Sequence, residues 1–155
     1  MFGFDAFGRL AFGQFAPAYL SPIVGFHQFN EDLAEGVHNL SSDSLRLMLS
    51  NTAPLLNAKV KAEIAEIAAG NGYPLGGLTL PGINAFARGI YTLTWSDVSL
   101  QAAGGSIGPF RYAVIYNATT PAGSLIGFWD YGAPMSLTEG ARFALFLSHA
   151  SFALV

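Results

Sequence analysis

Apolar and polar positions are patterned most clearly between Phe110 and Tyr131, FRYAVIYNATTPAGSLIGFWDY. The run Phe110 to Tyr116 carries Tyr112, Val114, Ile115 and Tyr116, all good strand formers. Asn117 to Gly123 is dense in turn residues. Ser124 to Tyr131 then brings Leu125, Ile126, Phe128 and Trp129. The pattern predicts a β-hairpin at the centre of the core.

Shorter strands are expected on either side. Leu45 to Leu49 (LRLML) follows a Ser41-Ser42-Asp43-Ser44 turn and ends at Asn51-Thr52-Ala53-Pro54. Leu78 to Leu80 is a short strand. Ile90 to Trp95 (IYTLTW) alternates and places Tyr91, Leu93 and Trp95 on one face. Asp97 to Ala102 is the next, ended by Gly104-Gly105. Ala133-Pro134 reads as a turn. Ala141 to Ser148 is a further strand with Phe143, Leu145 and Leu147 on one face, and Phe152 to Val155 is an apolar tail.

Two stretches read as helical. His27 to His38 is polar and suits a turn or two of helix ending at Gly36. Asn57 to Ala69 has a cap in Asn57 and an apolar stripe of Val60, Ile64, Ile67 and Ala68. It predicts a helix across one apolar face of a sheet, stopped at Gly70. The expectation is a mainly β fold: an antiparallel β-sandwich or jelly-roll-like barrel with one short helix and an extended N-terminal arm. Residues 1–40 form the arm and connecting segment, and 41–155 the β-rich domain.

The arm hides a repeat. Phe2-Gly3-Phe4-Asp5-Ala6, Phe7-Gly8-Arg9-Leu10-Ala11 and Phe12-Gly13-Gln14-Phe15-Ala16 share the pattern F-G-x-x-A. A period of five fits neither a strand nor a helix face. Phe2, Phe4, Phe7, Phe12 and Phe15 are therefore candidate partner-binding anchors, plugging pockets on a neighbour or on their own domain. The plainer alternative is an irregular strand folded back onto the same core.

Composition narrows the role. Of the 155 residues 52% are hydrophobic and only 11% charged, less than half the usual charged share of about 25%. A surface so poor in charge is expected to be covered by other chains. No apolar run reaches the ~20 residues of a spanning helix, and clean alternating ten-residue segments are too few to favour a membrane barrel. The net charge is −3 with no basic run, which argues against nucleic-acid binding. Cysteine is absent, so there is no disulfide framework and no thiolate site. The N-terminus lacks the basic n-region of a signal peptide.

Candidate chemistry is thin. Glu35-x-x-His38 has a metal-carboxylate spacing but lacks the second copy such sites need, and His149 sits on an apolar strand as a structural residue. Asp97 and Asp130 each follow a tryptophan closely. A glycan hydrolase would need them to converge, whereas strand-end turns or partners for Arg88 or Arg111 account for them more simply. The glycine clusters at 70–77 and 104–108 lack the lysine and strand-to-helix context of a phosphate loop. No nucleophile elbow occurs. No catalytic residue, metal or cofactor is expected.

Three segments together resemble small structural proteins of tailed-bacteriophage virions, encoded near the capsid genes. They are Ser42 to Pro54, Ile64 to Gly77, and the run from Trp95 through Arg111 to Asn117 and Gly127 to Gly132, ending near Gly140. Asp5-Ala6-Phe7-Gly8-Arg9-Leu10 is similar to a motif near the start of several phage structural proteins, although Ala11-Phe12 follow where a basic residue and a valine are more usual. The resemblance covers roughly residues 38–155. It implies a non-enzymatic capsid decoration, or cement, protein. Its partners would be the major capsid protein and copies of itself in a homotrimer, and its place the virion, assembled in the host cytoplasm. Alternatives are a tail, neck or fibre-base component, or a carbohydrate-binding module using Tyr91, Trp95 and Trp129.

Overall fold

The computed structural model describes residues 15–18, 23–145 and 151–154. In chain order the elements are β1 (Phe15–Ala18), β2 (Val24–Gly25), α1 (His27–Ala34), β3 (Leu45–Ser50), a 3-10 turn (Lys61–Glu63), β4 (Leu78–Leu80), β5 (Gly82–Ala87), β6 (Ile90–Trp95), β7 (Val98–Gln101), β8 (Ile107–Asn117), β9 (Ser124–Leu137), β10 (Arg142–Leu145) and β11 (Ser151–Leu154). They form a mainly β, sandwich-like fold of antiparallel sheets with one α-helix among the described residues. One sheet runs β2-β9-β8-β3-β4, a second β1-β10-β7 and a third β11-β6-β5. The β1–β10 pairing is parallel, with Phe15 opposite Arg142.

The predicted hairpin is the centre of the largest sheet. β8 and β9 pair antiparallel from Asn117 opposite Ser124 to Ile107 opposite Leu137. Alternation along β3, β8 and β9 sorts their side chains into two cores. On one face Leu45, Leu47, Leu49, Ala113, Ile115, Trp129 and Tyr131 pack with Leu100 of β7 and Phe143 of β10. On the other, Met48, Tyr112, Val114, Tyr116 and Phe128 pack with Phe26, Ala58 and Ile64. Both faces of the central sheet are thus covered, which explains its near-continuous apolar runs.

The helix expected over Asn57 to Ala69 is not formed. The segment does lie across the second face, but as irregular extended chain with a single 3-10 turn. Its backbone is claimed from both sides: Lys61 N–H donates to Gly123 O, Leu125 N–H donates to Lys59 O, and Ile67 N–H donates to Leu49 O. The Glu63 carboxylate accepts from the N–H groups of Lys59 and Val60, at 2.6 and 3.0 Å. Those bonds replace the i→i−4 ladder. Burial of Ile64, with Ile67 packed against the other core, satisfies the apolar stripe without a helix. The shorter helix does form as α1, and Gly36 follows it at a φ of +76°.

Ala133-Pro134 is not a turn either. β9 continues through it, and the register slips between Phe110–Met135 and Tyr112–Asp130. The extra β9 residues form a bulge, where proline costs no ladder hydrogen bond. β5 has no counterpart in the sequence reading, because Gly82, Asn84 and three alanine or phenylalanine positions give a weak strand pattern. It is fixed by pairing with β6 around Arg88-Gly89, whose φ values of 54° and 77° are both positive, as a two-residue hairpin turn of the I′ kind requires. Of the predicted strand from Ala141 to Ser148, residues 146–148 lie outside the described residues.

Candidate functional site

One cleft stands out among the described residues. It has a volume of about 220 Å3 and lies where four segments meet. β3 supplies Arg46, the 3-10 turn Lys61, the glycine loop Leu75 and Gly76, and the end of β8 with its turn supplies Tyr116, Ala118, Thr120, Pro121 and Gly123.

Each wall is built from short-range chemistry. In the β8–β9 turn, Thr120 Oγ1 donates to Asn117 O at 2.9 Å and accepts from Ser124 N–H at 2.8 Å. Asn117 Oδ1 accepts from Thr119 N–H at 2.9 Å. These bonds are the physical content of the polar turn sequence. The glycine loop is held by the Tyr116 hydroxyl, which donates to Gly76 O at 2.6 Å, and by Glu66, whose Oε1 accepts from Gly76 N–H at 2.9 Å. Burial raises the Tyr116 phenol above its ordinary pKa, with Glu66 adding to the rise and Arg46 opposing it. Gly77 cannot be replaced without strain: its φ is +85°, and a Cβ there would collide with the Leu47 backbone.

The two cations are held differently. Arg46 Nη2 donates to Gly77 O at 2.6 Å, and its Nε is buried with no hydrogen-bond partner. Lys61 Nζ lies 5.3 Å from the centroid of the Tyr116 ring, within cation–π range. A Cβ on Gly123 would come within 2.9 Å of Lys61 Cγ and Cδ, so the glycine leaves room for the lysine stem. No acidic residue lines the cleft.

A second polar cluster is buried. His38 and Asn117 sit inside the protein, with Asp32 and Asp43 beside them. Asn117 Nδ2 lies 3.0 Å from His38 Nδ1 and also donates to Asp43 Oδ2. With Asn117 Oδ1 occupied by Thr119 N–H, the amide nitrogen faces the ring, so Nδ1 accepts and the proton belongs on Nε2, 3.8 Å from Asp32 Oδ2. Burial holds the His38 pKa below its ordinary value, against the opposing pull of Asp32 and Asp43. Glu35 is exposed at the end of α1 and His27 and Glu31 are exposed on it. Among the described residues no group of three or more His, Cys, Asp or Glu is arranged to hold a metal ion.

Other sequence candidates fall as follows. Phe2, Phe4, Phe7 and Phe12 lie outside the described residues, as does His149; the backbone of Phe15 pairs with β10. Trp95 and Trp129 are 0% and 1% exposed and meet edge to face, 5.7 Å between centroids. Neither ring offers a stacking surface to a sugar, so neither can serve the carbohydrate-binding alternative. Asp130 is engaged by Arg111, at 2.7 Å from Nε and 2.9 Å from Nη2. That pairing holds its carboxyl below the ordinary range, the wrong direction for a general acid. The two glycine clusters dock on each other: Asn71 Nδ2 donates to Ser106 O at 2.8 Å, and Ala103 N–H donates to Asn71 O. Sequence reading missed the cleft because its residues are local in no window; only the glycines at 76 and 123 hinted at close approaches there. Among the described residues no helix is long and apolar enough to cross a membrane.

Comparison with protein-family models, with curated proteins and with solved structures gives no match.

Proposed function

We propose that this chain is a non-enzymatic structural component of a tailed-phage virion, a capsid decoration protein that binds the major capsid protein and copies of itself. The observation that carries the reading is a charge-poor chain with apolar side chains left in solvent. Only 11% of residues are charged, while Leu55 is 71% and Leu75 78% exposed. Leu56, Val24 and Val37 are exposed as well. Covering such side chains on a neighbouring chain contributes about 25 cal/mol per Å2 before the costs of association. The resemblance of residues 42–54, 64–77 and 95–140 to phage structural proteins supports the same reading. Those segments supply β3, the glycine loop and the β8–β9 hairpin, the framework of the central sheet.

The test is quantitative mass spectrometry of purified particles. A copy number close to that of the major capsid protein is expected. A number lower by one or two orders of magnitude moves the protein to a tail, neck or fibre base, and its absence from the particle overturns the virion reading.

A further inference from the structure

The cleft between the β8–β9 turn and the glycine loop carries a charge pattern that the decoration role does not use. The whole chain has a net charge of −3, yet the cleft is lined by Arg46 and Lys61 and by no carboxylate. Among the described residues neither cation has an acidic group within ion-pair distance, whereas Arg111 has Asp130 at 2.7 Å. Glu66, the acid behind the glycine loop, has one carboxylate oxygen taken by the Tyr73 hydroxyl and Gly76 N–H. Two cations lining one cleft without a counter-charge there favour an anion bound in it.

Arg46 is also pre-positioned. Arg46 is anchored through Gly77 O, while the exposed Lys61 runs its stem past Gly123 and sets its ammonium over the Tyr116 ring. Holding Arg46 in advance removes part of the rotamer entropy that a ligand would otherwise have to offset. At about 220 Å3 the cleft is smaller than the roughly 300 Å3 of sites for drug-sized ligands. It has room for one compact charged group and a small part of the molecule that bears it. Leu75 and Pro121 give that part an apolar rim.

We propose that this cleft is a binding site for a dianionic oxyanion, a phosphate group, held between the Arg46 guanidinium and the Lys61 ammonium. A dianion matches the two charges, and a monoanionic carboxylate matches them only in part. The arginine offers planar donors and the lysine a point charge, a pairing suited to phosphate oxygens.

The experiment is a nuclear magnetic resonance titration of the full chain with inorganic phosphate, and in parallel with acetate, chloride replacing each at constant ionic strength. Saturable one-to-one shifts centred on the amides of Lys61, Tyr116, Thr120 and Gly123 are expected, with acetate binding more weakly. Lys61→Met keeps the exposed stem and removes the charge; it should weaken phosphate about ten-fold, the loss of one charge-assisted contact. Lys61→Arg should restore most of that loss. Arg46→Met should weaken binding too, and its spectrum reports whether loss of the Gly77 contact has disturbed the fold. Non-saturating shifts, shifts unchanged by Lys61→Met in a folded protein, or acetate binding as tightly as phosphate would each overturn the assignment.

Discussion

Tyr73 shows how a single polar atom fixes the backbone beneath the cleft. Its ring is buried in the larger core. Its hydroxyl accepts from Leu49 N–H at 3.0 Å and donates to Glu66 Oε1 at 2.8 Å. Desolvation pushes the phenol well above its ordinary pKa, and Glu66 pushes the same way. The group therefore stays protonated and the donor role is secure. Tyr73→Phe leaves a strand amide without its partner and should destabilise the protein by about 1–3 kcal/mol, read by urea denaturation with an unchanged m-value.

His38 gives the residue scale a pH dependence. The folded protein holds its imidazole neutral because the side chain is buried, and because protonating Nδ1 would set one donor against another at Asn117. Its folded pKa lies below the ordinary 6.5. As pH falls through that ordinary value the unfolded chain takes up a proton and the folded chain does not. Stability from this group is thus full above about 6.5 and declines as pH drops toward the folded pKa. The slope contributed is at most about 1.4 kcal/mol per pH unit. Denaturation midpoints at pH 7.5 and 5.5 should differ in wild type, and His38→Gln should shrink the difference. Asp130 acts in a lower window: Arg111 depresses its pKa, so its contribution is lost only as pH falls below about 4 through the folded value.

At the scale of elements, the segment 57–69 is the clearest contest between local pattern and tertiary demand. Its apolar residues fall at helical spacing, yet its N–H and C=O groups find partners on β3 and next to β9. Ile64 is the residue through which this cover grips the sheet, packed with Met48, Val114 and Leu125. Ile64→Ala should cost about 2–4 kcal/mol, measured by thermal or chemical unfolding; a cost under 1 kcal/mol would mean the segment is merely draped.

Which elements were legible follows from what each one depends on. β3 and the β8–β9 hairpin declare themselves by β-branched, aromatic or leucine-rich runs, because each buries its own side chains. Burial of Trp129 follows from its place in the hairpin, whereas the edge-to-face meeting of Trp95 with it was not legible, since the two lie on strands far apart in the chain. The bulge of β9 is equally hidden. It depends on Gly132 at a φ of +97° and on Gly132 N–H donating to Asp130 Oδ1 at 2.8 Å, while Pro134 taken by itself signals a stop. The cleft depends on four segments at once, so no window of the sequence contains it.

At the scale of the molecule, the arm and the domain separate by experiment. Phe7→Ala with Phe12→Ala should abolish binding to particles and leave the circular dichroism and melting of the domain unchanged. Unchanged particle binding would remove the arm from the interface and leave the exposed leucines of residues 55, 56 and 75 to carry it. The same variants leave the phosphate titration unaffected if cleft and arm act independently.

The parallel pair β1–β10 also sets an order of events. It joins Phe15–Ala18 to Arg142–Leu145, near opposite ends of the described chain. On the ribosome, at about 5–20 residues per second, β1 emerges on the order of ten seconds before the strand it will lie against. β3 is made early in that interval, but β9 is finished only just before β10, and the layer carrying Phe143 against Phe110 and Tyr131 cannot close until both are made. β1 therefore waits for the strand it pairs with until β8, β9 and β10 have been made.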